Sequence, residues 1–214
     1  MKRRQHMEAV IFDVDGTLWD AADSMAYGWT NVMNERFDPD FFVDGNMIRP
    51  ILGRTPVELA GDLMPTIPAE KAEDIFHILA EGELPYIREA SPDVYDGFRT
   101  VLPKLAEKYK LFIVSNCDAG YIEMFLEVTG LGDLFEGHLC PGDTGEGKAE
   151  NIRTVMEEYG ISEAVYVGDT DKDSRECAKA GVPFIYASYG YGKTDSYTAR
   201  IGSPLELPEV LDEM

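Results

Sequence analysis

The chain has 214 residues, 19 of them basic and 40 acidic, giving a net charge of −21, and 44% of its side chains are hydrophobic. That apolar share excludes global disorder, and the length suits one core fold with one sizeable insertion. Nucleic acid and anionic membrane surfaces both demand concentrated Lys and Arg, so the charge excludes them as partners.

The apolar runs, Ala9 to Phe12 and Leu111 to Val114, are about four residues long, against about 20 for a membrane-spanning helix. Lys2, Arg3 and Arg4 imitate the start of a secretory leader, but Asp13 and Asp15 interrupt the apolar stretch a leader needs. Cys117, Cys140 and Cys177 form no Cys-x-x-Cys pair and read as reduced thiols of a cytoplasmic protein.

In chain order, Glu8 to Val14 is an apolar, β-branched run stopped by Asp15-Gly16-Thr17, which predicts a buried strand and a turn. The next 70 or so residues contain no convincing strand. Asp20 to Arg36 is helical in pattern, and Thr55-Pro56-Val57-Glu58 has the features of a capping box with Pro at the first helical position. Pro68 to Leu79 is a further amphipathic stretch. After Ser91-Pro92 helices and strands alternate. Phe98 to Tyr109, Tyr121 to Thr129, Lys148 to Tyr159, Lys172 to Ala180 and Glu206 to Leu211 read as helices. Leu111 to Ser115, Phe135 to Leu139, Ala164 to Val167 and Pro183 to Ala187 read as strands. Such alternation implies an α/β fold, a parallel sheet covered by helices on both faces, with a helical insertion after the first strand.

Three of these strands end in polar residues: Asp13 and Asp15, then Ser115-Asn116, then Gly168-Asp169-Thr170-Asp171-Lys172-Asp173. Ligands bind outside the carboxyl ends of strands in an open parallel sheet, so these groups converge if the strands are neighbours. Clustered carboxylates repel unless a cation intervenes, and Mg²⁺ is a hard ion that takes oxygen ligands. The Ser115 hydroxyl, the backbone N–H groups after it and the Lys148 ammonium suit phosphoryl oxygens.

Asp13-Val14-Asp15-Gly16-Thr17-Leu18, Ser115, Lys148 and Gly168-Asp169…Asp173 together resemble the four motifs of the haloacid dehalogenase-like superfamily of phosphohydrolases. The resemblance runs through the whole chain in the family's order, with an insertion where the helical type-1 cap lies. It implies a Rossmann-like core, residues 1–16 and 91–214, and an all-helical cap domain, residues 17–90. Asp13 would be the nucleophile that forms an aspartyl-phosphate, and Asp15 the general acid and then the general base. Asp13, the backbone carbonyl of Asp15 and Asp169 would hold Mg²⁺, with Asp173 ligating or orienting Lys148. Ser115, Asn116 and Lys148 would bind the phosphoryl group. An Asp at position 15 favours phosphatases and phosphomutases, whose oxygen leaving group must be protonated.

Two departures stand out. Lys148 is followed by Ala149 where many cap-bearing relatives carry Pro, and the last motif has an additional Asp171, either a ligand or a solvent-facing helix cap. Gly142 to Lys148 also fits the front of a nucleotide P-loop, but Ala149 stands where Ser or Thr must hold Mg²⁺, and Asp143 and Glu146 oppose phosphate. A receiver-like phospho-acceptor domain shares the Asp, Ser and Lys pattern without the insertion; it is the non-enzyme alternative. In the cap, Arg54 and after it Arg49 are candidates to contact an anionic leaving group; surface charge is the other reading of each. His6, His77 and His138 have no metal-like spacing. Trp19 reads as packing at the junction of core and cap, and Tyr189-Gly190-Tyr191-Gly192 as a segment near the crevice rim.

The expected protein is a monomeric or homodimeric Mg²⁺-dependent phosphatase acting on a small phosphorylated metabolite. Phosphoglycolate-like and sugar phosphates head the substrates; a phosphomutase, pyrophosphatase or nucleotidase remains open.

Overall fold

A computed structural model of the chain describes residues 7–53, 63, 68 and 71–214. Arg54, the Thr55 to Glu58 segment and His6 lie outside the described residues. The chain divides into two compact units, Met1–Asp20 with Asp93–Met214, and Ala21–Pro92.

The first unit is built on a six-stranded sheet of β1 (Ala9–Phe12), β2 (Lys110–Val114), β3 (Gly137–Leu139), β4 (Ala164–Gly168), β5 (Phe184–Ala187) and β6 (Ala199–Ile201). Its order is β3-β2-β1-β4-β5-β6, and every pair is parallel. β1 and β4 are buried along their whole length, which explains why they read as unbroken apolar runs. On one face Ile11, Phe112, Val114 and Tyr166 pack with Ile152, Val155 and Cys177 from the Lys148–Glu158 and Asp171–Ala180 helices. On the other, Phe12 meets Phe98 and Phe135 edge-on, at centroid separations of 6.0 and 6.3 Å. Phe12 is in register with both Ile113 and Val167, so the ends of β1, β2 and β4 lie level. The chain builds one side of β1 and then crosses to build the other. This reversal at β1 is the switch point beyond whose carboxyl end ligands bind in open parallel sheets.

The described part of the second unit is helical, comprising Ala22–Arg36, Gly45–Ile48, a 3₁₀ turn at Arg49–Ile51 and Ala72–Ala90. The two long helices approach closely at glycines. A Cβ on Gly28 would stand 2.8 Å from the Glu83 Cα, and one on Gly82 2.5 Å from a Val32 methyl. That packing carries the second helix past Leu79 and through Pro85, where sequence pattern alone ends it. Within the same unit Trp29 donates its indole N–H to the buried Glu83 carboxylate. Among the described residues, no helix is long and apolar enough to cross a membrane.

Other differences from expectation are at edges. Phe135 belongs to the connection after a 3₁₀ turn (Gly132–Leu134), and β3 starts at Gly137. β6 and the short Pro141–Thr144 helix had no clear periodicity to announce them.

Candidate active site

β1 delivers Asp13 one residue past its last paired position, with the Asp13 N–H still bonded to the Val167 carbonyl at 2.9 Å. Val14 turns into the core, and the chain then folds back: Thr17 and Leu18 donate to the Val14 carbonyl and Gly16 to that of Trp19. Gly16 has φ +76°, and a Cβ there would run into the Asp169 carboxylate, so both backbone and space require glycine. The turn brings the Trp19 indole N–H to Asp15 Oδ1 at 3.0 Å, and the Tyr121 hydroxyl donates to the same oxygen at 2.6 Å.

Lys148 opens the Lys148–Glu158 helix and is only 2% exposed. Its Nζ lies 3.0 Å from Asp13 Oδ2 and 2.5 Å from Asp173 Oδ1, above the ring of Tyr166 at 5.3 Å from its centroid. The loop before it is fixed by the buried Asn151, which accepts from the Thr144 hydroxyl at 2.8 Å and donates to the Glu146 carbonyl. Asp173 sits in the first turn of the next helix, where Thr170 and Asp173 form a reciprocal capping box. Asp169, at the end of β4, accepts from the Tyr191 and Gly192 N–H groups at 2.7 and 3.2 Å and from the Thr17 hydroxyl at 3.3 Å.

One oxygen from each of Asp13, Asp169 and Asp173 lies within 4.8 Å of the others. Asp13 Oδ1 is buried with no hydrogen-bond partner. Once all three are ionised, three carboxylates against one ammonium leave two negative charges, a set of hard oxygen donors that fits a divalent cation in charge and chemistry.

Electrostatics follow from burial and crowding. Burial, opposed by Lys148 and reinforced by Asp173, raises the Asp13 carboxyl above its ordinary range. Burial pushes Asp15 up to about 7, with Tyr121 and Trp19 pulling the other way and Asp13 adding to the rise. Burial and the charges of Asp173 and Asp13 push Asp169 up to about 8. Burial acts upward on Asp173 too, but Lys148 and the Thr170 hydrogen bonds outweigh it and hold that carboxyl low. Burial would strip the proton from Lys148, yet Asp13 and Asp173 more than reverse this and keep it charged.

The remaining expected residues are distributed as follows. Ser115 is buried beside the Asp13 carboxyl, whose rise it helps to oppose, while its N–H reaches the Leu139 carbonyl at 3.3 Å. Asn116 follows it, half-buried, in the loop toward the Tyr121–Thr129 helix. The Asp15 carboxylate stands outside the three-carboxylate cluster. Asp171 pairs with Arg175 at 2.5 Å and accepts from Thr194, also outside the cluster. Arg49 pairs with Asp23 at 2.8 Å. His138 lies 3.5 Å from Glu123, and neither it nor His77 joins a metal-like group among the described residues. The segment Gly142 to Lys148 follows β3 and not β1, and its lysine is engaged by carboxylates, unlike a P-loop.

Sequence pattern missed Tyr121, Tyr166, Thr170 and Asn151. Of these only Thr170, three residues before Asp173, carried a local signal, that of a helix start. The Tyr189 to Gly192 segment, expected near the crevice rim, grips Asp169 through its backbone, a contact that no sequence signal announces.

A family model described as haloacid dehalogenase-like hydrolase matches residues 10–187. A phosphoglycolate phosphatase of Aquifex aeolicus is 26% identical over 214 residues, covering 96% of this chain and 97% of that protein. An N-acetylmuramic acid 6-phosphate phosphatase of Pseudomonas putida is 24% identical over 222 residues, covering 96% of each. A haloacid dehalogenase-like family hydrolase of known structure from Streptococcus pneumoniae shares the fold with a TM-score of 0.82 at 19% identity, covering 96% of this chain and 98% of that one. The family match spans most of the chain and includes every strand-end carboxylate described above, and the protein therefore belongs to the haloacid dehalogenase-like hydrolases, as an enzyme of their phosphatase branch.

Proposed function

We propose that the protein is a Mg²⁺-dependent phosphatase that hydrolyses a small phosphorylated metabolite through a phospho-Asp13 intermediate. The observation that carries this reading is the state of Asp13: one oxygen held by Lys148, the other buried and unpartnered, inside a cluster of carboxylates. An Asp13 oxygen attacks phosphorus while the P–O bond to the leaving alcohol breaks and Asp15 gives that oxygen its proton. Asp15 then takes a proton from water as the water oxygen attacks the phospho-Asp13 and frees phosphate. Lys148, Ser115 and Asn116 bind the phosphoryl oxygens and offset the charge that develops on them. Asp13, Asp169, Asp173 and the backbone carbonyl of Asp15 are the residues to hold Mg²⁺, which when bound would supply charge neutralisation and orient the phosphoryl group.

We assign residues 17–90 the role of a cap that shields the reaction from water, with Arg54 and Arg49 as candidates to read an anionic leaving group. Two relatives of near-equal identity are named for a glycolate and for a sugar-acid phosphate. That supports a phosphate monoester carrying its own carboxylate as the substrate class, phosphoglycolate first. The free thiols of Cys117, Cys140 and Cys177 support a cytoplasmic setting.

The test is phosphate release from a panel of small phosphate esters, with Mg²⁺ or with EDTA, beside Asp13→Asn. We expect magnesium-dependent turnover that falls to background in the variant. A variant that kept most of its rate would remove Asp13 as nucleophile. A stoichiometric phospho-enzyme without phosphate release would point to a mutase or phospho-acceptor instead.

A further inference from the structure

We infer that Tyr121, together with Trp19, is the positioning device that assigns the two oxygens of Asp15 different tasks. The inference rests on the acid–base role of Asp15 in the proposed reaction. Both donors converge on a single atom, Oδ1: the Tyr121 hydroxyl at 2.6 Å and the Trp19 indole N–H at 3.0 Å. An oxygen that already accepts two hydrogen bonds is the poor seat for a proton, because a third hydrogen would have to displace a donor. The acid form of Asp15 therefore carries its proton on Oδ2. In the first step the Oδ2–H bond breaks and the proton goes to the leaving oxygen as its bond to phosphorus breaks. In the second step Oδ2 takes a proton from the attacking water.

The donors are themselves held rigidly. Trp19 is fully buried, edge-on to Tyr121 at 6.2 Å and to Phe125 at 4.9 Å. Its main chain is tied to the same turn as Asp15, by a bridge between the two residues and by the Gly16 N–H on its carbonyl at 2.9 Å. Tyr121 is 4% exposed and opens the Tyr121–Thr129 helix directly after Gly120, whose φ of +88° turns the chain into it. Neither ring can swing away without opening the core around Phe125. The carboxylate is thus oriented by two aromatic groups, one four residues and the other 106 residues from it in sequence.

Tyr121→Phe keeps the ring and deletes one donor, and Trp19→Phe deletes the other. Each is assayed on the best alkyl monoester of the panel and on 4-nitrophenyl phosphate, whose leaving group departs without a proton. The quantity compared is kcat/KM, which covers only the steps through departure of the leaving group and so is blind to the later attack of water. For Tyr121→Phe we expect about a tenfold loss on the alkyl ester, the scale of one charge-assisted hydrogen bond, and less than about twofold on the nitrophenyl ester. Equal losses on both esters, or no loss on either, would overturn the inference. Asp15→Asn is measured in parallel: if it shows no dependence on leaving group, the acid role of Asp15 fails. If Asp15→Asn shows the dependence and neither aromatic variant does, only the positioning role fails.

Discussion

At the first residue of a helix an ammonium group meets the positive end of the peptide dipoles, an unfavourable place for Lys148. It is held there, almost without solvent, by Asp13 and Asp173 on either side and the Tyr166 ring beneath. Such a placement works against local preference and is stable only because the surrounding charges over-determine it. The same holds for Gly190. A Cβ there would collide with the Gly16 carbonyl and with Asp169 Cβ, at the point where the next two N–H groups bond the Asp169 carboxylate. Gly190→Ala is therefore expected to lower stability by ~1–3 kcal/mol, the scale of overpacking, and to weaken Mg²⁺ binding by displacing Asp169. Denaturant unfolding and titration calorimetry with Mg²⁺ would read the two effects; unchanged Mg²⁺ affinity in a destabilised variant would separate Gly190 from the cluster. At this scale the strand ends that carry Asp13, Asp15, Ser115 and the carboxylates of residues 169 and 173 were legible from local punctuation, whereas Lys148, an ordinary surface charge when taken alone, was legible only through the resemblance of the four motifs together. Tyr121 and the Tyr191 N–H were not, because their partners lie 106 and 22 residues away in sequence.

The Asp171–Ala180 helix shows how an element's own ends serve the cluster. Thr170 accepts from the Asp173 N–H at 3.1 Å and donates to Asp173 Oδ2 at 2.6 Å, so one residue both starts the helix and fixes the carboxylate that grips Lys148. Thr170→Val should cost about 1 kcal/mol as a lost cap, with Thr170→Ser restoring most of it. Activity should fall in the Val variant and recover in the Ser variant, since the serine hydroxyl replaces both hydrogen bonds. A Ser variant as damaged as the Val variant would show that the hydroxyl and its two hydrogen bonds are not enough to account for the role of Thr170. Helices and strands with a sustained period of 3.6, or a continuous buried run, were legible from pattern, as with Tyr121–Thr129 and β4. Where pattern failed, packing decided. Gly82 and Pro85 argue against a helix locally, but Gly82 lets the Ala72–Ala90 helix approach Val32 closely, and the burial gained outweighs the local preference. The three residues of β6 are too few to show alternation, and they pair only because β5 offers a free edge.

Over the whole molecule, alternation of elements in sequence implied a parallel sheet but not its order, since strand neighbours are chosen by crossover connections. The order places β1 between β2 and β4, and with it most of the buried negative charge of a chain whose net charge is already −21. Self-repulsion of that size opposes compaction, and the buried carboxyls sharpen it with pH. Asp15 and Asp169 have folded-state pKa values of about 7 and about 8, far above the ordinary carboxyl value. The native state therefore holds protons that the unfolded chain has released, so stability must decline as pH rises from the ordinary carboxyl range through about 8. A divalent cation held by Asp13, Asp169 and Asp173 would replace the proton on Asp169, while Asp15, outside that cluster, keeps its own, and the cation's stabilising effect would grow as less proton has to be displaced. Melting in EDTA is expected to move to lower temperature between about pH 5.5 and about pH 8.5, with the rise produced by Mg²⁺ larger at the upper pH. Asp169→Asn should flatten both dependences. A magnesium-induced rise that did not change with pH would mean that the ion binds without engaging the buried carboxyls.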